Sequence, residues 1–322
     1  MSIENLLSAW QELLRGKRGK KDVQEFQLRL MDNILALHID LRNGTYRHGP
    51  YHQFNISDPK PRLIHKATVR DRLVHRAVYR KLYPFFDKIF IADSFSCRNN
   101  KGTHRAMRRF RDLAYIVSKN HIHTCWVLKC DVRKFFASIS QDILMNILDS
   151  RIKDKQIVDL LKEIISSFNS GKPGVGLPLG NLTSQLFCNI YMNKFDQFVK
   201  HGLKIKYYIR YADDFVFLSR NQGELEGLIP LIENFLGEKL HLRLHPDKVF
   251  IKTIASGVDF LGWVHFADHR VLRAVTKRRM FKKIRGDISP QGLQSYFGMM
   301  SHGNTEKIKK RVIHLTQLLQ KH

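Results

Sequence analysis

Asp131, Asp213 and Asp214 are the residues whose types and surroundings best suit chemistry. Asp213 and Asp214 stand side by side in "YYIRYADDFVFLSR", residues 207–220, between two runs rich in aromatic and β-branched residues. Asp131 lies near the end of "CWVLKCDV", residues 125–132, which reads as a buried strand. If the strands are neighbours, three carboxylates converge at one edge of a sheet. Hard oxygen donors of that kind suit Mg²⁺, which takes a few carboxylates together with substrate phosphates, and Mn²⁺ would substitute. Two such ions about 4 Å apart can activate a 3′-hydroxyl and stabilise a leaving pyrophosphate, the chemistry of nucleotidyl transfer. Taken alone, "ADD" is more often a turn, because Asp bonds its own backbone there. Its surroundings have to decide.

The elements that must position these groups are legible in outline. Residues 3–15 and 22–41 have helical spacing, the second ending at the breaker "RNGTY", with the basic loop "RGKRGKK" between them. Residues 68–84 read as a helix stopped by Pro84, and a further basic helix covers about 103–118. Helices follow at about 141–151 and 154–169. A Gly/Pro loop, "SGKPGVGLPLG", then leads into a long helix at about 181–200. The stretch around "ADD" alternates and reads as a β-hairpin. A helix near 223–237, a strand "KVFI", a strand "VDFLGWVHF" and basic helices over the last 45 residues complete the chain. Strands and helices alternate without a regular βαβ repeat. The expected fold class is α+β, an antiparallel sheet with helices on one face and a helical end.

Charge narrows the partners. The 322 residues carry 55 Lys and Arg against 29 Asp and Glu, a net charge of +26. Such an excess repels itself and calls for a polyanion, nucleic acid first and an anionic membrane surface second. No apolar stretch approaches the roughly 20 residues needed to span a bilayer. The N-terminus places its charges after its apolar part, the reverse of a secretory signal. Cys97, Cys125, Cys130 and Cys188 form no CxxC pair, so neither zinc nor a disulfide framework is expected, and Cys125 and Cys130 read as buried thiols. A cytoplasmic location follows, with no membrane partner.

"YADD", preceded by "DVRKFF" and "GLPLGNLTSQ" and followed by "LRLHPDK" and "FLGW", resembles a reverse transcriptase. The resemblance runs from about residue 45 to 265 and implies a right-hand polymerase. Its parts would be an N-terminal helical extension (1–44), fingers and palm (45–265, the fingers at about 45–120 and part of 150–180) and a short helical thumb (266–322). "LGNLTSQ", ending in Gln185, and "GTYRHGPYHQFNISDPKPRLIHKATVRDRLVH" are similar to the reverse transcriptases of diversity-generating retroelements, of the wider group II intron and retron superfamily. A chain ending after a short thumb, with no maturase or endonuclease domain, fits that group. The resemblance implies a bacterial, archaeal or phage-encoded enzyme that copies a template RNA into cDNA with errors at template adenines. It also implies two Mg²⁺ ions, dNTPs, an RNA–cDNA heteroduplex and a small basic accessory protein, itself oligomeric.

Residue by residue, the resemblance makes Asp131, Asp213 and Asp214 the metal carboxylates and Lys248 the group that protonates pyrophosphate. Lys60 and Arg62 would grip the triphosphate, a task that suits the planar Arg fork. Phe136 would be the steric gate against a 2′-hydroxyl, although Phe135 and Phe136 are equally core material and only one of them should face the site. Gly174, Gly176 and Gly180 are glycines beside the nucleotide, with Gly174 better read as plain loop. Leu179 stands where many relatives carry Gln, so a lost polar contact would lower fidelity. Gln185 faces the template or caps a polar layer. Phe260, Leu261, Gly262 and Trp263 would form the primer grip, with Phe260 and Trp263 also readable as core. Arg70, Arg72, Lys277, Arg278 and Arg279 would hold nucleic-acid backbone. Two rivals stay open: a retron or defence-associated reverse transcriptase, and a catalytically silent RNA-binding protein.

Overall fold

The computed structural model describes residues 1–57, 61–286 and 288–319. Three helices open the chain: α1 (Ile3–Leu13), α2 (Lys21–Leu28) and α3 (Leu30–Asn43). The single helix expected over 22–41 is two, because Arg29 leaves the helical region (φ −122°, ψ 45°). Gly44, at φ 70°, closes α3 in the left-handed conformation glycine accepts most readily. A hairpin of β1 (His52–Ile56) and β2 (Arg62–Lys66) follows, then α4 (Val69–Asp87) and α5 (Thr103–Val117). Pro84 does not stop α4. The helix runs one further turn, which buries Phe86 completely in the main core and offsets the missing N–H bond.

β3 (Trp126–Asp131) leads through α6 (Phe135–Ser138), α7 (Gln141–Asp149) and α8 (Lys155–Ser166) to α9 (Leu182–Gln197). β4 (Tyr208–Tyr211), β5 (Asp214–Ser219), α10 (Gln222–Leu240) and β6 (Phe250–Thr253) come next. These strands form one sheet in the order β4-β5-β3-β6, antiparallel throughout. The expected strand at 258–266 is instead a hairpin, β7 (Val258–Phe260) and β8 (Trp263–His265), with β9 (Arg270–Leu272) added at its edge. Leu261 and Gly262 both have positive φ, 51° and 87°, which reverses the chain within two residues. Helices α11 (Ala274–Arg285), α12 (Pro290–Met300) and α13 (Glu306–Leu319) end the described chain.

Strand alternation divides the core in two. On β5, Phe215 and Phe217 face the large apolar cluster built with α9 and α10, where Phe195 and Phe215 rings lie 5.0 Å apart. Val216 and Leu218 face the opposite cluster, with Phe110, Leu113 and Val117 of α5 and Phe260 of β7. The sheet therefore carries α9 and α10 on the expected face, while α5 and the β7–β9 sheet cover part of the other. By the same alternation Lys129, Asp131 and Asp214 belong to that second face, at the end where α5 begins, its Thr103 hydroxyl 3.0 Å from that of Tyr211. A third cluster, including Met280, Ile284, Met300 and Val312, docks the last helices onto Met107 of α5 and Trp263 of β8.

Candidate active site

Three local features bring the carboxylates together. In the β3–β5 ladder Asp131 stands directly opposite Asp214, at the end of one strand and the start of the other. Tyr211 pairs with Asp214 across the β4–β5 hairpin, so Ala212 and Asp213 form a two-residue turn beside them. Val132 N–H donates to the Asp213 carbonyl at 3.2 Å and ties that turn to β3. Ala212 sits at φ 57°, a conformation costly for a residue with a Cβ.

A buried polar network beneath the turn holds that conformation. Arg210, fully buried, donates to both carboxylate oxygens of Asp196, at 2.8 and 2.6 Å. It also donates to Asn189 Oδ1, to Ser94 Oγ and, at 3.0 Å, to the Ala212 carbonyl itself. Tyr208 O–H donates to the same Asp196 at 2.8 Å. A lone buried guanidinium would be prohibitive; paired and fully bonded it fixes the turn.

The carboxylate cluster is short of positive charge. Burial, reinforced by Asp131, raises the Asp213 pKa. Burial pushes Asp214 up to about 7, with Asp131 and Asp213 adding to the effect and Lys129 opposing it. Asp214 Oδ1 is buried with no hydrogen-bond partner. Two cations answer in part. Lys248 Nζ donates to Asp131 Oδ1 at 2.7 Å, its turn placed by the His245 N–H bond to the Asp131 carbonyl. Lys129, only 5% exposed, puts its Nζ 3.5 Å from Asp214 Oδ2. Among the described residues no three His, Cys, Asp or Glu side chains gather closely enough to cage a metal alone. The unpartnered Asp214 oxygen and crowded oxygen donors nonetheless fit Mg²⁺ held jointly with substrate phosphates and water.

The residues expected around the carboxylates fall into two groups. Some are brought near. Arg62, exposed on β2, lies close enough to draw the Asp213 pKa down. The loop before α9 is pinned to the same hairpin: His65 N–H donates to the Leu179 carbonyl at 2.9 Å, and Asn181 donates to the His65 carbonyl at 2.7 Å. Gly180, at φ 109°, is required there, because a Cβ would meet Ile64 Cγ2 at 2.8 Å. The Leu177 N–H bonds the Phe136 carbonyl at 2.8 Å, which joins the loop to the segment after Asp131. Phe135 is core, whereas Phe136 is half-buried; both start a short helix rather than continue a strand. Gln185 is half-buried in the first turn of α9, one turn before Asn189 of the Arg210 network.

Others are engaged elsewhere. Arg70 donates to Asp40 at 2.6 Å and Arg72 to Asp22 at 2.6 Å, pairs that clamp α2 and α3 onto α4. Phe260 and Trp263 are core, Phe260 against Phe110 and Trp263 under Arg270, leaving Leu261 and Gly262 half-exposed at the hairpin tip. Lys277 and Arg278 are exposed on α11 and Arg279 is half-buried. Gly174 lies in an exposed loop with open space around it, and Gly176 backs onto Ser170. Lys60 lies outside the described residues. Cys125 and Cys130 are buried thiols, and burial pushes Cys125 up to about 12.

Sequence reasoning missed Lys129 and Arg210. Each carried a signal: a charged residue inside an apolar strand, two before Asp131 in one case and three before Asp213 in the other.

Comparison with known proteins bears on the family and the fold. The family model described as reverse transcriptase (RNA-dependent DNA polymerase) matches residues 55–265, more than half of the chain. Protein YkfC of Escherichia coli is 26% identical over 300 residues, covering 80% of this chain and 75% of that protein. The group II intron-encoded protein LtrA of Lactococcus lactis is 22% identical over 312 residues, covering 75% and 50%. The COX1/OXI3 intron 2 protein of Saccharomyces cerevisiae is 22% identical over 302 residues, and this chain spans 33% of its length. Among solved structures, apo telomerase from Candida tropicalis truncated from its C-terminal domain superposes with a TM-score of 0.52 at 13% identity, over 76% of this chain and 60% of that one. That likeness gives the fold, a right-hand polymerase. The chain belongs to the reverse transcriptase family.

Proposed function

We propose that this chain is an RNA-directed DNA polymerase working by two-metal nucleotidyl transfer at Asp131, Asp213 and Asp214. The observation that carries this reading is the cross-strand pairing of Asp131 with Asp214 beside the Asp213 turn, with one Asp214 oxygen unpartnered. Mg²⁺ bound there would supply charge for the attacking 3′-hydroxyl and the leaving pyrophosphate. Lys248 keeps Asp131 oriented until substrate arrives and then faces the phosphates as proton donor. Lys129 offsets the charge of Asp214 from within the sheet. Arg62, together with Lys60, meets the triphosphate, and Phe136 underlies the sugar. Leu179 and Gln185 border the nucleotide, and the Leu261–Gly262 tip meets the primer. Lys277, Arg278 and Arg279 of the thumb meet the heteroduplex backbone, which is held without reading sequence. The units are an N-terminal extension (1–44), fingers and palm (45–265) and thumb (266–322).

The finer reading is a diversity-generating retroelement enzyme, cytoplasmic, error-prone at template adenines and working with a small basic accessory protein. It rests on "LGNLTSQ" and on Leu179 at a position bordering the nucleotide. The similarity to LtrA favours a second reading, an intron-mobility type of enzyme.

Extension of a DNA primer on an RNA template with Mg²⁺ and dNTPs, followed by sequencing, tests both levels. Extension with mismatches concentrated at template adenines, and reduced by Leu179→Gln, is the expected result. Uniformly faithful cDNA would remove the mutagenic subtype, and no synthesis with dNTPs would remove the polymerase reading.

A further inference from the structure

A cleft of about 930 Å³ opens at the end of the central sheet remote from the carboxylates. It lies between the end of α5, the segment entering β4, the last residues of β5 and the first turns of α10. β5 has 6 residues from Asp214 to Ser219, so at about 3.3 Å each the cleft is roughly 20 Å from the catalytic end. An occupant would leave the polymerase site open.

Its lining is mixed, with apolar side chains among polar ones. Ile116 and Leu231 remain 50% and 47% exposed, beside Ile205 and Leu228. Apolar surface left in water at a concave site marks a place where something docks. Its rim is cationic: Lys119, Lys204, Lys206 and Arg220, with His123 nearby. None of these four has a carboxylate partner among the described residues; Lys206 lies only over the Tyr207 ring, at 5.5 Å. Among the described residues Glu224 is the one carboxylate lining the cleft, and it accepts from Ser219 O–H at 2.5 Å.

We propose that this cleft docks an acidic, apolar segment of a partner protein, with apolar side chains against Ile116 and Leu231 and carboxylates against the rim. An RNA backbone would satisfy the rim but leave Ile116 and Leu231 in water, whereas an amphipathic peptide satisfies both. Charge complementarity selects an acidic segment and repels a basic one. This inference does not rest on the polymerase reading.

Fluorescence anisotropy on the full chain tests it. The probe is a labelled peptide of about 15 residues with leucines on one helical face and glutamates on the other, set against an isomer with the leucines scattered. The amphipathic peptide is expected to bind about tenfold or more tightly than its isomer, and Leu231→Asn to erase that difference. Reversing the four rim cations to Glu is expected to weaken it about tenfold or more, with an unchanged melting temperature proving the variants folded. Equal binding of the two peptides, or binding that survives rim reversal, overturns the proposal. So does a rim reversal that weakens an RNA of about 20 nucleotides but not the peptide. Self-association abolished by the same reversal, with peptide binding unaffected, would make the occupant a second copy and overturn it too.

Discussion

Two hairpins in this chain turn in two residues, and they are held by opposite physics. In β4–β5 the turn is Ala212–Asp213, and what stands beneath it is a buried guanidinium bonded to Asp196, Asn189, Ser94 and the turn's own carbonyl. In β7–β8 the turn is Leu261–Gly262, and what stands beneath it is the Phe260–Trp263 pair in an apolar core. Neither turn is a favoured Asn-Gly or Asp-Gly sequence. Each turn holds a non-glycine residue at positive φ in its first position, Ala212 at 57° and Leu261 at 51°, and the apolar turn adds Gly262 at its second, over a packed apolar core. What sets the polar hairpin apart is the crowding of carboxylates at its tip, Asp213 and Asp214 beside Asp131 of β3, over one buried network. Unsatisfied charge, rather than backbone strain, collects where a metal and substrate would bind, which is where function is expected to override local stability.

The comparison breaks most visibly at Arg210. Replacing it with Met removes one partner of a fully buried ion pair and leaves Asp196 uncompensated, so a loss of about 3–5 kcal/mol is expected in urea unfolding. The matching change in the other hairpin, Phe260→Leu, keeps an apolar side chain and should cost about 1 kcal/mol. Equal losses would mean the polar network does nothing special.

Acid separates the two hairpins next. Burial lowers the pKa of His265, on β8, to about 4, while burial raises that of Asp214, on β5, to about 7. For His265 the unfolded chain binds the proton first as pH falls. The stability it contributes is complete above about 6.5 and is lost progressively down to about 4, on the order of 3 kcal/mol in all. For Asp214 the sign is reversed. The folded chain holds the extra proton between about 4 and 7, so its contribution is complete at low pH and lost as pH rises through about 7. Denaturant titrations of His265→Gln and Asp214→Asn without metal should each flatten one limb of the profile.

The smallest effect is expected at the turns themselves. Ala212→Gly relieves the positive-φ cost and should be neutral or stabilising by up to about 1 kcal/mol, whereas Gly262→Ala should destabilise by about 1 kcal/mol. Thermal melts that gave both substitutions the same sign would contradict the assignment of strain.

The strand ending at Asp131 and the hairpin at "ADD" were legible from the apolar runs on either side, whereas taking the three carboxylates as one metal site depended on the surrounding motifs and the resemblance they carry. Lys129 and Arg210 were not, because their meaning depends on cross-strand register and on partners such as Asp196, which sequence spacing does not provide. Arg70 and Arg72 look like free cations in a basic chain, yet each has a carboxylate on a distant helix, Asp40 and Asp22. Pro84 reads as a helix stop, but burial of Phe86 outweighs the lost bond. "VDFLGWVHF" reads as one strand because a Leu-Gly turn inside an apolar run lacks the polar residues that usually mark reversal.

The most direct measurement is primer extension by Asp213→Asn on an RNA template with Mg²⁺ and dNTPs, paired with its metal-free melting curve. The account predicts no detectable extension together with a melting temperature equal to or above that of the native chain, because the substitution removes charge from a crowded cluster. Extension that persists in a folded Asp213→Asn protein would contradict it, and the "ADD" carboxylates would be no more than a turn.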